Sequence, residues 1–310
     1  MSATQPLVSI CIPTFNSEAF VAASVESALE QDYPNLEVVV TDDSSQDATV
    51  EVLQDRFGDS IRLQRNEVRK GPPRTTMAAV ASSRGSLIKF LHHDDRLAPD
   101  CVSKMVAALR RHDSAGMVFS RRRVEAEFDT PAARAWIQKY GALHHGFSSV
   151  EGLNQGMKLL REIVVGGVEN WIGEPSCVMV RRACLERLGG SNPRLYVLPD
   201  LELWMRIMTS YDVAFIDEVL CTYRHSPQSR SGFVVRGQMG WLDRLWIYEM
   251  LMDHEEVRRA VPELAPRRRF ERRIAYRTVV RHALRPQPDD PPVGLWRAYA
   301  GHRIRRLIGR

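Results

Sequence analysis

Two adjacent carboxylates, Asp94 and Asp95, close the stretch Leu87-Ile-Lys-Phe-Leu-His-His-Asp-Asp95. Like charges at that spacing repel, and without a cation one of the pair should hold its proton. A hard divalent ion removes the conflict, because Mg2+ and Mn2+ take oxygen ligands and often join one or two carboxylates to a substrate's phosphates. The same two acids could instead cap the helix that follows, and on these residues alone the two readings stand level. Other chemistry-bearing clusters are Pro13-Thr14-Phe15-Asn16 and Asp42-Asp43-Ser44-Ser45-Gln46-Asp47. Asp200 and Glu202 open a further apolar-striped segment, where Asp200 reads as a helix N-cap. His225 stands alone after Tyr223-Arg224, and a lone histidine is more often structural than a ligand. The five cysteines, Cys11, Cys101, Cys177, Cys184 and Cys221, include no C-x-x-C pair, which argues against a zinc site or a disulfide framework. No Ser-His-Asp or Cys-His arrangement for nucleophilic catalysis is evident.

The elements that must position these residues follow from the apolar runs. Leu7–Ile12, Leu36–Val40 and Leu87–Leu91 are short and apolar, the first two rich in β-branched residues, and each reads as a buried strand. A helix capped by Ser17, with Val21, Val25, Ala28 and Leu29 facing inward, joins the first two strands. A second helix runs to about Gly58, and Ile61–Leu63 is a shorter third strand. A helix through Met77, Val80 and Ala81 leads into Leu87. After Pro99, Val102, Met105, Val106 and Leu109 keep the helical period. Strands alternating with helices imply β-α-β units and a mostly parallel sheet covered on both faces. Ligands then bind outside the carboxyl ends of the strands, which is where all three amino-terminal polar clusters fall.

Further along, Met117–Phe119 reads as a strand with Arg121-Arg122-Arg123 as its solvated end, and residues 121–170 show no clear periodicity. Ile172–Val180 is a turn leading to a strand, and the next helix ends at Gly189-Gly190 in a left-handed cap. Val213–Ile216 and Val219–Tyr223 read as two short strands.

Apolar content of 44% and charged content of 26% are those of a globular protein. The net charge of +5 hides a partition. Residues 266–310 hold 13 arginines, no lysine and three acids, whereas the other 265 residues carry 30 bases against 35 acids. An acidic body with a basic tail, lacking an aromatic-interleaved platform, excludes a general nucleic-acid binder. Arg269, Arg273, Arg277 and Arg281 recur every four residues, and Trp296, Ala300, Ile304, Leu307 and Ile308 line one face of a short basic helix. That is the pattern of an interfacial helix on anionic lipid, with a solvated helix or one pairing in a homodimer as the alternatives. No run is long enough to cross a bilayer and the amino terminus lacks a signal-peptide pattern. The expectation is a cytoplasmic protein, peripheral at the inner face of the cytoplasmic membrane.

In their order, spacing and strand context, the three amino-terminal clusters resemble the nucleotide-sugar-dependent glycosyltransferases of family 2. That family shows P-x-[YF]-N after its first strand, D-D-[GSN]-S-x-D after its second, and a later strand ending in a D-x-D-type metal motif followed by x-x-P. The chain has Pro13-Thr-Phe-Asn16, Asp42-Asp-Ser-Ser-Gln-Asp47, and His92-His-Asp-Asp95 with Pro99. The resemblance covers residues 6 to 120 well and continues to about 231. It implies the GT-A fold, an α/β, Rossmann-like architecture with a mostly parallel central sheet and flanking helices. Residues 1–231 would form the catalytic domain (6–120 nucleotide-binding, 121–231 acceptor-binding), and 232–310 a helical, arginine-rich extension.

The resemblance also implies roles. Asp43 would hydrogen-bond the nucleobase, with Pro13, Thr14 and Asn16 lining the nucleoside pocket. Asp94 would lie near ribose and metal, Asp95 would ligate a Mn2+ or Mg2+ ion on the diphosphate, and His225 would be a third ligand. Arg74 falls near the diphosphate by resemblance but reads as a solvated loop arginine by its surroundings. Asp200 would be the catalytic base, with Glu202 as runner-up. Two positions depart from the pattern: His92 replaces the leading Asp of the metal motif, and Pro199 replaces the acid before Asp200. The implied activity is inverting transfer of a sugar from a nucleotide-sugar donor to a hydroxyl of a glycan or lipid-linked acceptor. The Q-x-x-R-W motif of processive members is absent, so one sugar per encounter is expected. The competing reading is a non-catalytic nucleotide- or metal-binding regulatory module, which leaves Pro13–Asn16 and Asp200 unexplained. A dinucleotide oxidoreductase fares worse, since no G-x-G-x-x-G follows the first strand.

Overall fold

The computed structural model describes residues 5–195, 197–226 and 240–284. Every residue of β1 (Val8–Thr14) is buried, as a strand covered on both faces requires. α1 (Val21–Leu29) lays Val21, Ser24, Val25 and Ala28 inward, and β2 (Leu36–Asp42) follows with its last five residues buried. α2 (Thr49–Phe57), β3 (Arg62–Arg65), α3 (Pro72–Ser82) and β4 (Leu87–Phe90) complete the amino-terminal repeat. A two-residue strand, β5 (Arg96–Leu97), then precedes α4 (Cys101–Arg111), whose buried residues include the expected Val102, Met105, Val106 and Leu109.

The next segment holds β6 (Ala115–Ala126), α5 (Pro131–Tyr140), β7 (Leu153–Asn154) and α6 (Gly156–Val165). After it come β8 (Val178–Arg181), α7 (Arg182–Leu188), α8 (Pro199–Met208) and β9 (Asp212–His225). The strands form one sheet in the order β3-β2-β1-β4-β8-β6-β9-β5, with β7 on β9. β1, β2, β3 and β4 are mutually parallel. β8 is antiparallel to both β4 and β6, and β9 is parallel to β6, so six of the nine strands share one direction. The expected α/β architecture with flanking helices is therefore present. Thr14 pairs with Asp42 at the carboxyl ends of β1 and β2, so the polar clusters that follow both strands start level.

Several local expectations are corrected. Ser17 does not cap α1 through its side chain; its carbonyl accepts from Phe20 and Val21, and its hydroxyl meets that of Thr14. Asp94 and Asp95 do not cap the following helix, because β5 intervenes and Asp100 occupies the N-cap of α4. Arg121–Arg123 is no solvated strand end: β6 continues to Ala126, and Arg122 is buried. The two strands expected between Val213 and Tyr223 are one, β9, whose ladder to β6 shifts register around Ser120–Arg122. Asp200 lies inside the first turn of α8 rather than at its N-cap. Gly189 follows α7 at φ +83° and ψ +158°, a positive-φ conformation that suits glycine but is extended in ψ rather than the left-handed helical cap expected there.

The chain divides into two units. One comprises residues up to 163, 169–193 and 199–225, and holds the whole sheet. The other comprises 164–168, 194–198 and the chain from 226 onward. Within the second unit are α9 (Gly240–Leu251), α10 (Glu255–Ala260) and α11 (Leu264–Leu284). There Leu245, Tyr248 and Leu251 are buried, Tyr248 donates to the carbonyl of Val164 at 3.1 Å, and Asp243 accepts from the amide of Leu198 at 2.9 Å. The basic segment expected to be helical at 290–310 lies outside the described residues. Among the described residues no helix is long and apolar enough to cross a membrane.

Gly85, at the entry to β4, is where the sheet has least room. A Cβ there would stand 2.5 Å from Ser9 Oγ, 2.6 Å from Ser9 N and 2.8 Å from the Leu7 carbonyl oxygen. Backbone atoms cannot swing aside as a side chain can. Gly85→Ala is expected to cost about 1–3 kcal/mol through overpacking, read as a lowered thermal midpoint.

Candidate active site

The three amino-terminal clusters meet at one rim. The amide of Asp43 donates to the Thr14 carbonyl at 2.8 Å, and that of Asn16 to Ser45 Oγ at 2.9 Å. Asn16, at φ +46°, returns its Oδ1 to the amide of Gln46 at 2.9 Å. His93 Nδ1 lies 3.2 Å from the Pro13 carbonyl oxygen, which ties the β4 acid loop to the end of β1. From the other side, Ser24 on α1 donates to the His92 carbonyl at 2.9 Å.

Within each acid pair the two carboxylates differ. Asp42 is fully buried and spent on the turn, accepting from the amide and hydroxyl of Ser45 and pairing with Arg65 at 3.3 Å. Asp43 accepts from Asn66 Nδ2 and from the amides of Lys70 and Gly71, each at 2.8 Å. Burial alone would raise the Asp43 pKa, but these donors, with Thr75, outweigh it and hold the carboxyl below its ordinary value. Asp95 is 1% exposed and has both oxygens engaged, by Ser176 Oγ at 2.5 Å and the Arg224 amide at 3.0 Å. Burial, and after it the charge of Asp94, push the Asp95 carboxyl well above the usual range against the pull of those two donors. Asp94 itself is half-buried, and no hydrogen bond reaches its carboxylate among the described residues.

One short segment holds both ends of the site. Asn170 Nδ2 donates to the Gly173 carbonyl at 3.0 Å and reaches Asp200 Oδ2 at 3.3 Å. Trp204, on the same helix as Asp200, directs Nε1 to the Gly173 carbonyl at 3.4 Å and packs its ring 5.8 Å from that of Phe90 on β4. Glu174 pairs with Arg122, which also donates to the Tyr140 carbonyl at 2.9 Å. Ser176 clamps Asp95 and accepts from the His92 amide at 3.0 Å. The segment is anchored by Lys89, a fully buried lysine in the middle of β4. Its ammonium donates to the carbonyls of Ser176, Phe90 (3.0 Å) and Val178 (3.4 Å).

The remaining expected residues are placed as follows. Glu202 is buried in a two-bonded ion pair with Arg206, which in turn caps the carbonyls of Leu188, Gly189 and Gly190, so its role is structural. Pro13 and Thr14 are buried, and Arg74 is exposed in the first turn of α3. The His225 ring lies flat on Trp136, centroids 4.1 Å apart at 10°, and its buried Nδ1 has no hydrogen-bond partner among the described residues. Burial and Arg122 lower the His225 pKa. Among the described residues no three His, Cys, Asp or Glu side chains form a preformed metal cluster.

Sequence reasoning missed Lys89, Ser176, Asn170 and Asn66. Lys89 carried a usable signal, because a charge in the centre of an otherwise apolar buried strand must find partners. Phe15 of the Pro13–Asn16 motif, which bears the Arg69 guanidinium 3.9 Å from its ring centroid, was likewise not singled out.

Comparison with known proteins agrees with this geometry. The family model described as glycosyl transferase family 2 matches residues 9–189. The chain belongs to glycosyl transferase family 2. An uncharacterized protein of Mycobacterium tuberculosis (strain CDC 1551 / Oshkosh) is 36% identical over 250 residues, 80% of this chain and 76% of that protein. Chondroitin synthase of Escherichia coli is 36% identical over 119 residues, which span 38% of this chain and only 17% of the synthase. Among solved structures, S. aureus TarS 1-349 in complex with UDP-GlcNAc gives a TM-score of 0.65 at 16% identity, covering 92% of this chain and 77% of that one. Mannosyltransferase PcManGT from Pyrobaculum calidifontis, in complex with GDP-Man and Mn2+, gives 0.60 at 18% identity, covering 98% and 81%. These likenesses establish that this family 2 chain has the GT-A fold.

Two stability measurements check the site. The folded-state pKa of Asp43 lies below its unfolded value of ~3.9, so its contribution is complete above that pH and disappears as pH falls through the folded value. Asp43→Asn should flatten the acid limb of stability against pH in urea unfolding and cost about 1–3 kcal/mol at neutral pH; an unaltered limb would contradict the assignment. Lys89→Met should cost about 1.5–3 kcal/mol, the range for hydrogen bonds to a charged group. It should also speed amide exchange at His92 and Cys177, whose partners lie on the anchored turn.

Proposed function

We propose that this family 2 protein transfers one sugar from a nucleotide-sugar donor to a hydroxyl of a glycan or lipid-linked acceptor, with inversion at the anomeric carbon. The observation that carries this reading is the segment 170–177, which contacts Asp95 at one end and Asp200 at the other. A donor-side acid loop and a remote carboxylate thus share one rigid support, as a displacement between two substrates requires.

Asp43, held rigid by four donors, recognises the nucleobase, and Pro13, Thr14 and Asn16 shape the nucleoside pocket. Arg74 is free to swing toward the diphosphate. A divalent cation, Mn2+ or Mg2+, would suit the β4 end: the Asp94 carboxylate is half-buried, and among the described residues no base pairs with it. Asp94 is the first candidate ligand; Asp95, with its oxygens held by Ser176 and the Arg224 amide, orients the loop that presents it, and Asp95 or His225 would add a further ligand only on leaving its present contacts. When bound, such a cation neutralises charge on the departing diphosphate.

Asp200 acts as general base. Its place in the first turn of α8 holds the carboxylate at the helix amino terminus, beside Asn170. The acceptor oxygen bonds to the anomeric carbon as the carbon–oxygen bond to the diphosphate breaks, and the acceptor proton passes to Asp200. A lipid-linked acceptor would place the enzyme on the inner face of the cytoplasmic membrane.

Release of nucleoside diphosphate from a panel of UDP-, dTDP- and GDP-sugars, with Mn2+ or Mg2+, separates this reading from a non-catalytic binding module, which would release none. With the active donor found, Asp200→Asn should lower kcat by about 10²–10⁴ while leaving donor affinity within a few-fold. Asp94→Asn should instead raise the cation concentration needed for half-maximal rate. Near-normal turnover of Asp200→Asn would assign the base elsewhere.

A further inference from the structure

The arginines of α11 fall into two groups that differ in what they meet. Arg268 and Arg272 turn onto the buried Glu249 of α9, at 3.7 and 2.5 Å, and Arg267 donates to the Val165 carbonyl. These three hold the second unit together. Arg269, Arg273 and Arg277 are all exposed, and among the described residues none makes a hydrogen bond or ion pair. Four-residue spacing stacks them along one side of the helix, each step advancing only ~40° around the axis. Phe270 lies ~20° beyond the Arg277 edge of that arc and is 54% exposed, one of the largest apolar exposures among the described residues.

Three unpaired guanidinium groups along one helical face, with an aromatic ring beside them, need a partner that is both anionic and apolar. We propose that this face of α11 docks on an anionic lipid surface, with the guanidinium groups on headgroup phosphates and Phe270 entering the acyl boundary. A nucleic acid would satisfy the charges but leave Phe270 in water unless a base stacked on it. A second copy of the chain would have to present a matching acidic face. The proposal rests on the membrane-side acceptor reading above for its purpose, but not for its evidence, which is the exposure and pairing of α11.

The test is co-sedimentation of the full-length protein with sucrose-loaded vesicles of phosphatidylcholine, with and without phosphatidylglycerol. Binding should require phosphatidylglycerol and weaken as salt is raised. The triple variant Arg269→Gln, Arg273→Gln, Arg277→Gln should lower the partition coefficient on the order of a hundredfold, at the usual contribution per surface arginine. Phe270→Ser should lower it by about tenfold or more. A control that removes two exposed arginines elsewhere, Arg110→Gln with Arg111→Gln on α4, should bind as the wild type does. Circular dichroism and thermal unfolding establish that each variant is folded.

The proposal is overturned if binding is equal on both vesicle types, or if the folded triple variant partitions like the wild type. It is also overturned if the triple variant loses duplex-DNA binding or a concentration-dependent dimer while the wild type ignores vesicles. Donor turnover measured without vesicles should be the same in the wild type and triple variant. An inactive wild type that still binds vesicles would therefore fault the glycosyl-transfer reading and not this one.

Discussion

A buried lysine held by backbone carbonyls sets the geometry of this protein. Lys89 points from the middle of β4 into the interior, fully buried, and among the described residues its hydrogen bonds all go to carbonyl oxygens. An unpaired charge in such a place would cost several kcal/mol or give up its proton. Three carbonyl dipoles from two neighbouring segments offset that cost, and each must therefore stay where the ammonium needs it. The chain from Asn170 to Val178 is the segment so constrained. Ser176 then fixes the His92 amide and the Asp95 carboxylate, and Gly173 and Asn170 fix the edge of α8 that bears Asp200. The proposed donor and acceptor chemistries thus share a single anchor.

Around that anchor, acids are sorted by neighbour rather than by type. Asp42 and Asp43 are adjacent, yet one closes a turn with Ser45 while the other is gripped by the Lys70 and Gly71 amides. Asp95 is drawn inward by Ser176 and leaves Asp94 at the surface. Two residues beyond Asp200, Glu202 is consumed by Arg206, whose guanidinium also closes the end of α7. In each pair, one carboxylate stiffens the rim on which the other is displayed. Stiffness of this kind fixes the positions of reacting groups before substrates arrive.

This sorting explains which parts of the protein could be read from its residues. β1, β2 and β4 are apolar runs buried on both faces, so composition and turn residues announce them. Their polar carboxyl ends come with them, because parallel strands align those ends. α5 was not legible because none of its described side chains is fully buried, so no apolar stripe marks it, and its start depends on a Thr130 cap and Pro131. β9 looked like two strands because the Asp217-Glu218 step is exposed within one continuous ladder. Arg122 looked solvated because its partner, Glu174, lies 52 residues away in sequence. Long-range pairs leave no local period, and the network around Lys89 is built of them.

Electrostatics gives the acid loop its remaining meaning. Two unit charges 4 Å apart repel by about 4 kcal/mol at an effective dielectric of 20, and a diphosphate approaching Asp94 would meet that repulsion more than once. Arg224, whose amide holds Asp95, has its guanidinium on Glu127 at 3.0 Å and over Phe20, and Lys89 is sealed inside the sheet. Folding therefore leaves a concentrated negative edge where a negative ligand is expected to bind. Protonating Asp95, toward which its burial tends, removes one charge but not that of Asp94. The acid loop would then serve a negative donor only with a cation between them, and Asp94 is the side chain placed to hold one under the function proposed above.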